Sequence, residues 1–400
     1  MTTPDALSII DVPTPYLVTD LDTVADRYAE FRRALPGVHV HYAMKCNPAP
    51  EVLTTLAARG AGFEIASLGE LRMLQRAGVD PADVLYSNPV KPPAHVAAAH
   101  AAGLWRFSFD SPNELAKIAE AAPGSAVYIR LRVDDEASVF PLSRKFGAGV
   151  DDAYDLMTLA GRLGLRPYGV TFHVGSQCGN PAAWRKAIGD AGRLMSRLRA
   201  DGIELEMIDL GGGFPARYGE PVPSLAEIGG HIRPALDELL PYRPALITAE
   251  PGRALVAEAG VLATGVIGRE QRGDENWLFV DVSAYHGMME TLQTANGWAY
   301  PLSTSVPDEA TGPMLPFTVT GPTCDPSDTM FTGVWLPATV DVGDTLYIGS
   351  AGAYTLSYAS EFNGFPAPTP LFIGGSPLEE FAGPVLTGSP AAGLVVAGVR

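Results

Sequence analysis

Cysteine is scarce in this 400-residue chain, limited to Cys46, Cys178 and Cys324. Three scattered thiols make neither a disulfide framework nor a zinc site, so no metal is expected and a reducing, cytoplasmic setting is. Basic residues are outnumbered as well: 28 Lys and Arg stand against 45 Asp and Glu, for a formal net charge of −17. Such a chain lacks the basic face that a phosphate backbone requires, which excludes nucleic acid as its main partner. No stretch reaches the roughly 18 uninterrupted apolar residues of a membrane span. The segment 1–15 is polar, with Asp5 and Asp11, and has no basic-then-apolar leader pattern. Internal repeats and low-complexity tracts are absent too, which excludes solenoids and compositionally driven disorder.

What is present is an ordinary enzyme-like composition, 46% hydrophobic and 18% charged. Its length predicts about two domains. From residue 38 onward, short apolar strands alternate with helical segments. The strands are expected at Val38–Met44, Gly62–Ile65, Val84–Tyr86, Trp105–Phe109, Ala126–Arg132, Pro167–His173, Leu205–Asp209 and Ala245–Ala249. Helical patterns lie between them, at Ala49–Arg59, Leu68–Ala77, Pro93–Ala102, Pro112–Ala121, Tyr154–Leu163, Ala182–Ala200 and Leu225–Leu240. Eight strands with crossover helices predict a TIM-like (β/α)8 barrel, placed over residues 38–265. Beyond it the helical rhythm fades, and residues 266–400 are expected to form a β domain of sandwich or barrel type. Residues 1–37 are assigned to that β domain, because Pro15–Leu21 reads as a strand before the barrel begins.

In such a barrel the C-terminal strand ends carry the chemistry. Strand 1 runs into Lys45, strand 2 ends in Glu64, strand 5 in Arg132 and strand 6 in His173, followed by Ser176. Strand 7 leads into Gly211, Gly212 and Gly213, and strand 8 into Glu250, Pro251, Gly252 and Arg253. Each signal alone is commonplace, and together they suit pyridoxal 5'-phosphate (PLP). A rim lysine can form a Schiff base with it. A glycine run lets backbone N–H groups approach a phosphate, with Ser176 adding a hydroxyl and Arg253 a charge. His173 can stack on a flat ring. Glu250 can keep a pyridine nitrogen protonated, which makes the ring a strong electron sink.

These residues sit in motifs that resemble the fold-type III PLP-dependent decarboxylases, the ornithine, lysine and diaminopimelate group. The resemblance runs from about Pro15 to Phe365. It rests on Tyr42–Asn47, Gly62–Ser67, Phe172–Gln177, Asp209–Phe214, Glu250–Arg253, Gly321–Asp325, Gly352–Thr355 and Phe362–Phe365. It implies that Lys45 carries PLP, with Glu64 and Arg132 near it. His173 would lie on the ring, and Glu250 on its nitrogen. Ser176, Gly212, Gly213, Gly252, Arg253 and Tyr354 would form the cofactor cradle. It further implies that Cys324 returns a proton to Cα after CO2 leaves, that Asp325 meets the distal end of the substrate, and that Phe362 packs in the pocket. Cys324 and Asp325 enter from the other subunit in this family, which implies a homodimer. Cys46 and Cys178 match no catalytic position.

Asp325, rather than Glu, favours a substrate with a distal ammonium, as do the Gly352–Thr355 and Phe362–Phe365 motifs of the ornithine and lysine branch. Decarboxylation of ornithine or lysine, a step of polyamine biosynthesis, is the expected activity. One departure stands out: Gln293 occupies the place of an Asp that helps grip the distal amine. An amide keeps a donor and an acceptor and loses the charge. The alternatives are therefore a modified or larger amino acid in a specialised natural-product or siderophore route, then a racemase, then an inactive regulatory homologue. Glu250 argues against the racemase, since alanine racemases hold the ring nitrogen with Arg. The proline-rich segment 298–316 is expected to be a surface loop.

Overall fold

The computed structural model describes residues 10–294 and 299–375, with the backbone of 385–387 and 395–396. It divides into two compact units. One takes the chain up to Asp26, Ala216–Pro221 and everything from Leu255 on; the other is Arg27–Pro215 with Val222–Ala254.

The second unit is a closed barrel of eight parallel strands. In order they are His39–Ala43, Gly62–Ile65, Val84–Tyr86, Arg106–Phe109, Ala126–Arg130, Arg166–Thr171, Met207–Asp209 and Leu246–Ala249. Spatial order follows chain order, and the eighth strand closes on the first through Thr248↔His39 and Ala249↔Val40. Three strands stop one or two residues short of their expected ends, and that shortening matters for the site. Crossover helices fall where the apolar periodicity placed them, with Ala182–Ala200 and Pro112–Ala121 matching residue for residue. Several start on local capping. Ser67 and Ser111 accept from the N–H three residues on, and Ser224 with Glu227 forms a reciprocal capping box.

Inside the barrel, Leu85, Ala126, Tyr128, Tyr168 and Met207 pack as one buried layer. Period-2 alternation puts every second residue of a strand on that inner face. Above Leu85 comes Ser87, and above Ala126 and Tyr128 comes Arg130. The site is built one layer above the core by the same alternation that builds the core.

The first unit holds a branched ten-stranded sheet. Its spine is the long strand Gly260–Arg272, which pairs with Tyr16–Asp20 and Thr345–Ile348 along its first half and with Glu275–Val280 along its second. Tyr16–Asp20 also pairs in parallel with Thr369–Ile373. The expected strand near Pro15–Leu21 thus joins this sheet, but the 1–37 segment is divided. Residues 21–34 form a helix that the sequence reading passed over, and from Arg27 onward the chain belongs to the barrel unit. The reason is burial: Phe31 is fully buried and meets the Phe214 ring edge-on at 4.8 Å, while Arg27 Nε donates to Ala254 O at 3.1 Å. The far boundary also moves, from 265 to 254, because Gly260–Arg272 is one continuous strand of the sheet. Among the described residues, no helix is long and apolar enough to cross a membrane.

Candidate active site

Lys45 lies in a helical turn, Met44–Cys46, at the C-terminal end of the first barrel strand. Its Nζ donates to Glu64 Oε2 at 2.7 Å, from the neighbouring strand. Burial pulls the amine's pKa down, but Glu64 and then Glu250 outweigh it and push it up to about 12. An ammonium held by fixed carboxylates is the expected state of this lysine before it reacts.

Glu250 follows the eighth strand and is buried. Ser87 Oγ donates to its Oε1, and Asp209 lies beside it. Burial, then Asp209 and Glu64, raise the Glu250 pKa well above the carboxylate range, with Lys45 and Ser87 opposing. Asp209 is itself raised to about 6 by burial, against hydrogen bonds from Thr171 Oγ1 (2.7 Å) and Gly211 N (2.9 Å). Burial and mutual repulsion thus push both carboxyls toward their protonated forms, because two bare charges are costly in one low-dielectric site.

His173 is half-buried after the sixth strand. Gly175 N donates to its Nδ1 at 3.0 Å, which leaves Nε2 as the proton carrier of a neutral ring. Burial, then Arg130 and Lys45, lower its pKa well below the usual value, so it stays neutral. A Cβ on Gly212 would lie 2.8 Å from that Nε2 and 2.9 Å from Glu250 O. Glycine is therefore required where His173 and Glu250 converge.

The glycine run and Ser176 lie side by side, because Cys178 N donates to Gly213 O at 2.9 Å. Gly213 has φ +102, and a Cβ there would lie 2.5 Å from Gly175 O. A Cβ on Gly211 would overlap Phe172 O at 1.8 Å. The Arg253 guanidinium, 4% exposed, reaches Ser176 Oγ from Nη2 at 3.3 Å and Nε at 3.4 Å. A hydroxyl, a guanidinium and close-packed glycine N–H groups form a donor set for a phosphate. A lysine amine, a neutral imidazole and a proton-holding carboxylate complete a set that fits PLP. A Cβ on Gly252 would meet Cys46 Cβ at 3.0 Å, so this position is packed against the turn that carries Lys45.

One expected residue is misplaced. Arg132 is exposed, outside the barrel. The fifth strand ends at Arg130, after which Leu131 bridges to Ala148 and Arg132 N donates to Ala148 O at 2.8 Å, drawing the chain off the barrel wall. Arg130 points inward instead. Burial lowers its pKa while Glu250, Asp110, Glu64 and Asp209 pull it up. The alternation Ala126, Tyr128, Arg130 carried that signal. Ser87, Thr171 and Asp209, at inward positions of their strand ends, and Tyr128, one layer below Arg130, also escape the sequence reading.

The remaining expected residues belong to the other unit. Cys324 is exposed, and both its N (3.2 Å) and its Sγ (3.3 Å) donate to Asn363 Oδ1. Tyr285 OH donates to Asp325 Oδ2 at 2.8 Å, and its ring meets Phe362 edge-on at 5.1 Å. The backbone N–H of Ser327, then Tyr285, hold the Asp325 carboxyl below its usual pKa, so it stays charged. Cys324, Asp325 and Phe362 thus form one cluster, joined by Tyr285 and Asn363. Tyr354 has a left-handed backbone, φ 60°, and its ring lies 5.5 Å from that of Tyr358. Gln293 is exposed at the end of the short helix Glu290–Gln293.

Residues 21–257 match the model of the pyridoxal-dependent decarboxylase pyridoxal-binding domain. The lysine/ornithine decarboxylase of Selenomonas ruminantium is 38% identical over 90% of this chain and 90% of its own. The antizyme inhibitor 2 of Xenopus laevis is 34% identical over 88% and 79%. Among solved structures, the Vibrio vulnificus lysine/ornithine decarboxylase complexed with cadaverine superposes with a TM-score of 0.82 at 31% identity, covering 92% of this chain and 94% of that one. A lysine, buried carboxyls and a cluster of serine, arginine and glycines at the mouth of an eight-stranded barrel agree with these likenesses, and the chain belongs to the fold-type III pyridoxal-dependent decarboxylases, in the ornithine and lysine branch.

Proposed function

We propose that this protein decarboxylates an L-amino acid with a distal cation, ornithine or lysine, to the corresponding amine and CO2. The observation that carries the reading is the charged Asp325 held by Tyr285, beside the thiol of Cys324. A fixed carboxylate there suits an ammonium at the far end of a substrate. The Selenomonas and Vibrio relatives, named for lysine and ornithine, support the same class.

Lys45 would hold PLP, with His173 on its ring, Glu250 at its nitrogen, and Ser176, Gly212, Gly213 and Arg253 around its phosphate. Bound there, PLP supplies an electron sink for the pair left on Cα when CO2 departs. Glu64 keeps the Lys45 amine at the strand end. The neutral His173 adds no charge to the ring face. Arg130 offsets the negative charge of Glu64, Asp209 and Glu250. The Cys324 thiol, oriented by Asn363, returns one proton to Cα, which balances the loss of CO2. Tyr354 belongs to the phosphate cradle in this reading. Cys324 and Asp325 would serve the barrel of a second copy, so the working unit is a homodimer. A cytoplasmic setting goes with three free thiols.

The test is CO2 release by PLP-loaded protein from ornithine, lysine, arginine, diaminopimelate and several neutral amino acids. Release from ornithine or lysine at ordinary efficiency is expected. Exposed Gln293 favours one second reading, a larger amino acid from a specialised route. Turnover of that class with silence on the dibasic substrates would establish it. The antizyme-inhibitor relative raises a non-catalytic reading, against which stands the retained Lys45–Glu64 pair. A chain that takes up no PLP would revive it.

A further inference from the structure

Below the rim, three barrel strands meet in a hydrogen-bonded chain that the activity above does not use. Ser87 Oγ donates to Glu250 Oε1 and lies 2.8 Å from Tyr128 OH. A serine hydroxyl has one proton. Since the Glu250 oxygen takes it, the Tyr128 phenol must donate in turn to Ser87 Oγ. The order is therefore Tyr128 O–H to Ser87 O–H to Glu250 Oε1. Tyr128 is fully buried within the barrel's core layer, and Ser87 is 7% exposed.

Ser87 is also fixed from behind. Its N donates to Ile65 O at 3.0 Å, and Asn88 Nδ2 donates to Ala66 O at 3.2 Å. Lys91, whose side chain is fully buried, donates from Nζ to Asn88 O at 2.9 Å and to Ser108 O at 2.6 Å, and pairs with Glu114 at 2.9 Å. A buried lysine that ties the loop to two strands leaves the hydroxyl little freedom to turn away.

We propose that Ser87, oriented by Tyr128 and by the Lys91-clamped loop, is a positioning residue that fixes the Glu250 carboxylate and sets how strongly it holds a proton. The inference rests on the PLP reading of the site. A donor to Oε1 stabilises the ionised carboxylate, which is the form that pairs with a protonated ring nitrogen. Without it Glu250 holds a proton more tightly, and the ring becomes a poorer electron sink. The direction matches the opposition of Ser87 to the raised Glu250 pKa. Ser87 touches neither the substrate nor the reacting carbon, so its effect must pass through Glu250.

The test compares wild type, Ser87→Ala and Tyr128→Phe for PLP affinity by equilibrium dialysis, for the pH titration of the bound cofactor's visible absorbance, and for kcat and KM. The expected result for Ser87→Ala is PLP bound roughly tenfold more weakly, the loss of one hydrogen bond to a charged group. Its absorbance titration should be displaced, and kcat should fall at saturating PLP with little change in KM. Tyr128→Phe should move each quantity the same way by a smaller factor, and it covers the case in which Ser87→Ala fails to fold. Wild-type affinity and an unmoved titration in a folded variant would overturn the proposal. Wild type that binds no PLP would overturn the parent reading instead, so the two failures are distinct.

Discussion

Lys45 Nζ lies 2.7 Å from Glu64 Oε2, with the lysine side chain 40% exposed and the glutamate 4%. The acid is fixed in a buried strand while the amine stays open to the barrel mouth. That asymmetry suits an amine that must be both held and reached. A symmetric surface pair would be worth little and would hold nothing.

Replacing Glu64 with Gln should lower the Lys45 pKa from its raised value near 12, since Glu64 is the first of the groups that raise it. In PLP-free protein, the pH at which an amine-directed reagent labels Lys45 should shift downward, as followed by peptide mass analysis. The sign for stability is the usual one for a raised lysine. The contribution is complete below the ordinary lysine value and is lost as pH rises through about 12. An unchanged labelling profile would count against the pair's role.

Asp209→Asn should change the pH dependence of stability in the PLP-free protein. The Asp209 carboxyl is raised from 3.8 to about 6, so the folded state binds its proton more tightly than the unfolded state does. Its contribution is present below about pH 4 and is lost as pH rises to about 6. The variant should lose less stability across that window, read as Tm against pH. Parallel curves would place that proton elsewhere.

Arg130 and Arg132 separate cleanly. Arg130→Ala removes one of the two inward cations facing Glu64 and Glu250, leaving Lys45, and should markedly reduce kcat/KM and PLP retention. Arg132→Ala alters an exposed side chain and should stay within about 0.5 kcal/mol of wild-type stability, with near wild-type activity. Equal effects in the two variants would mean that the inward face of the fifth strand is misassigned.

Tyr285→Phe removes the phenol that donates to Asp325. For a dibasic substrate, kcat/KM should fall roughly fivefold, as for one modest hydrogen bond. A neutral substrate should show no such change. A uniform loss across substrates would point to damage of the whole Cys324–Asp325–Phe362 cluster.

Much of this was legible because local rules act locally. Alternation and helical period placed the barrel strands and the helices Pro112–Ala121 and Ala182–Ala200, and the glycine run marked a place that side chains cannot occupy. Where a strand stops was not local. Arg130 and Arg132 share parity in sequence, and only the bridge from Leu131 to Ala148 decides which of them stays in the barrel. The helix at Leu21–Ala34 was legible from the spacing of Leu21, Val24, Ala25, Tyr28 and Phe31; what the sequence does not encode is that its Phe31 and Arg27 meet Phe214 and Ala254, roughly two hundred positions away.

The sequence by itself determined the barrel, the lysine at its rim, the acid of the eighth strand and the glycine run beside Ser176, because strand parity and glycine sterics are short-range constraints. The tertiary structure decided how those groups speak to one another. It brought Ser87 and Tyr128 under Glu250, put Asp209 beside it, chose Arg130, and tied Cys324 and Asp325 to Asn363 and Tyr285. Each of these depends on side chains from different strands converging at hydrogen-bond distance in a buried, low-dielectric space, and spacing along the chain does not encode that convergence.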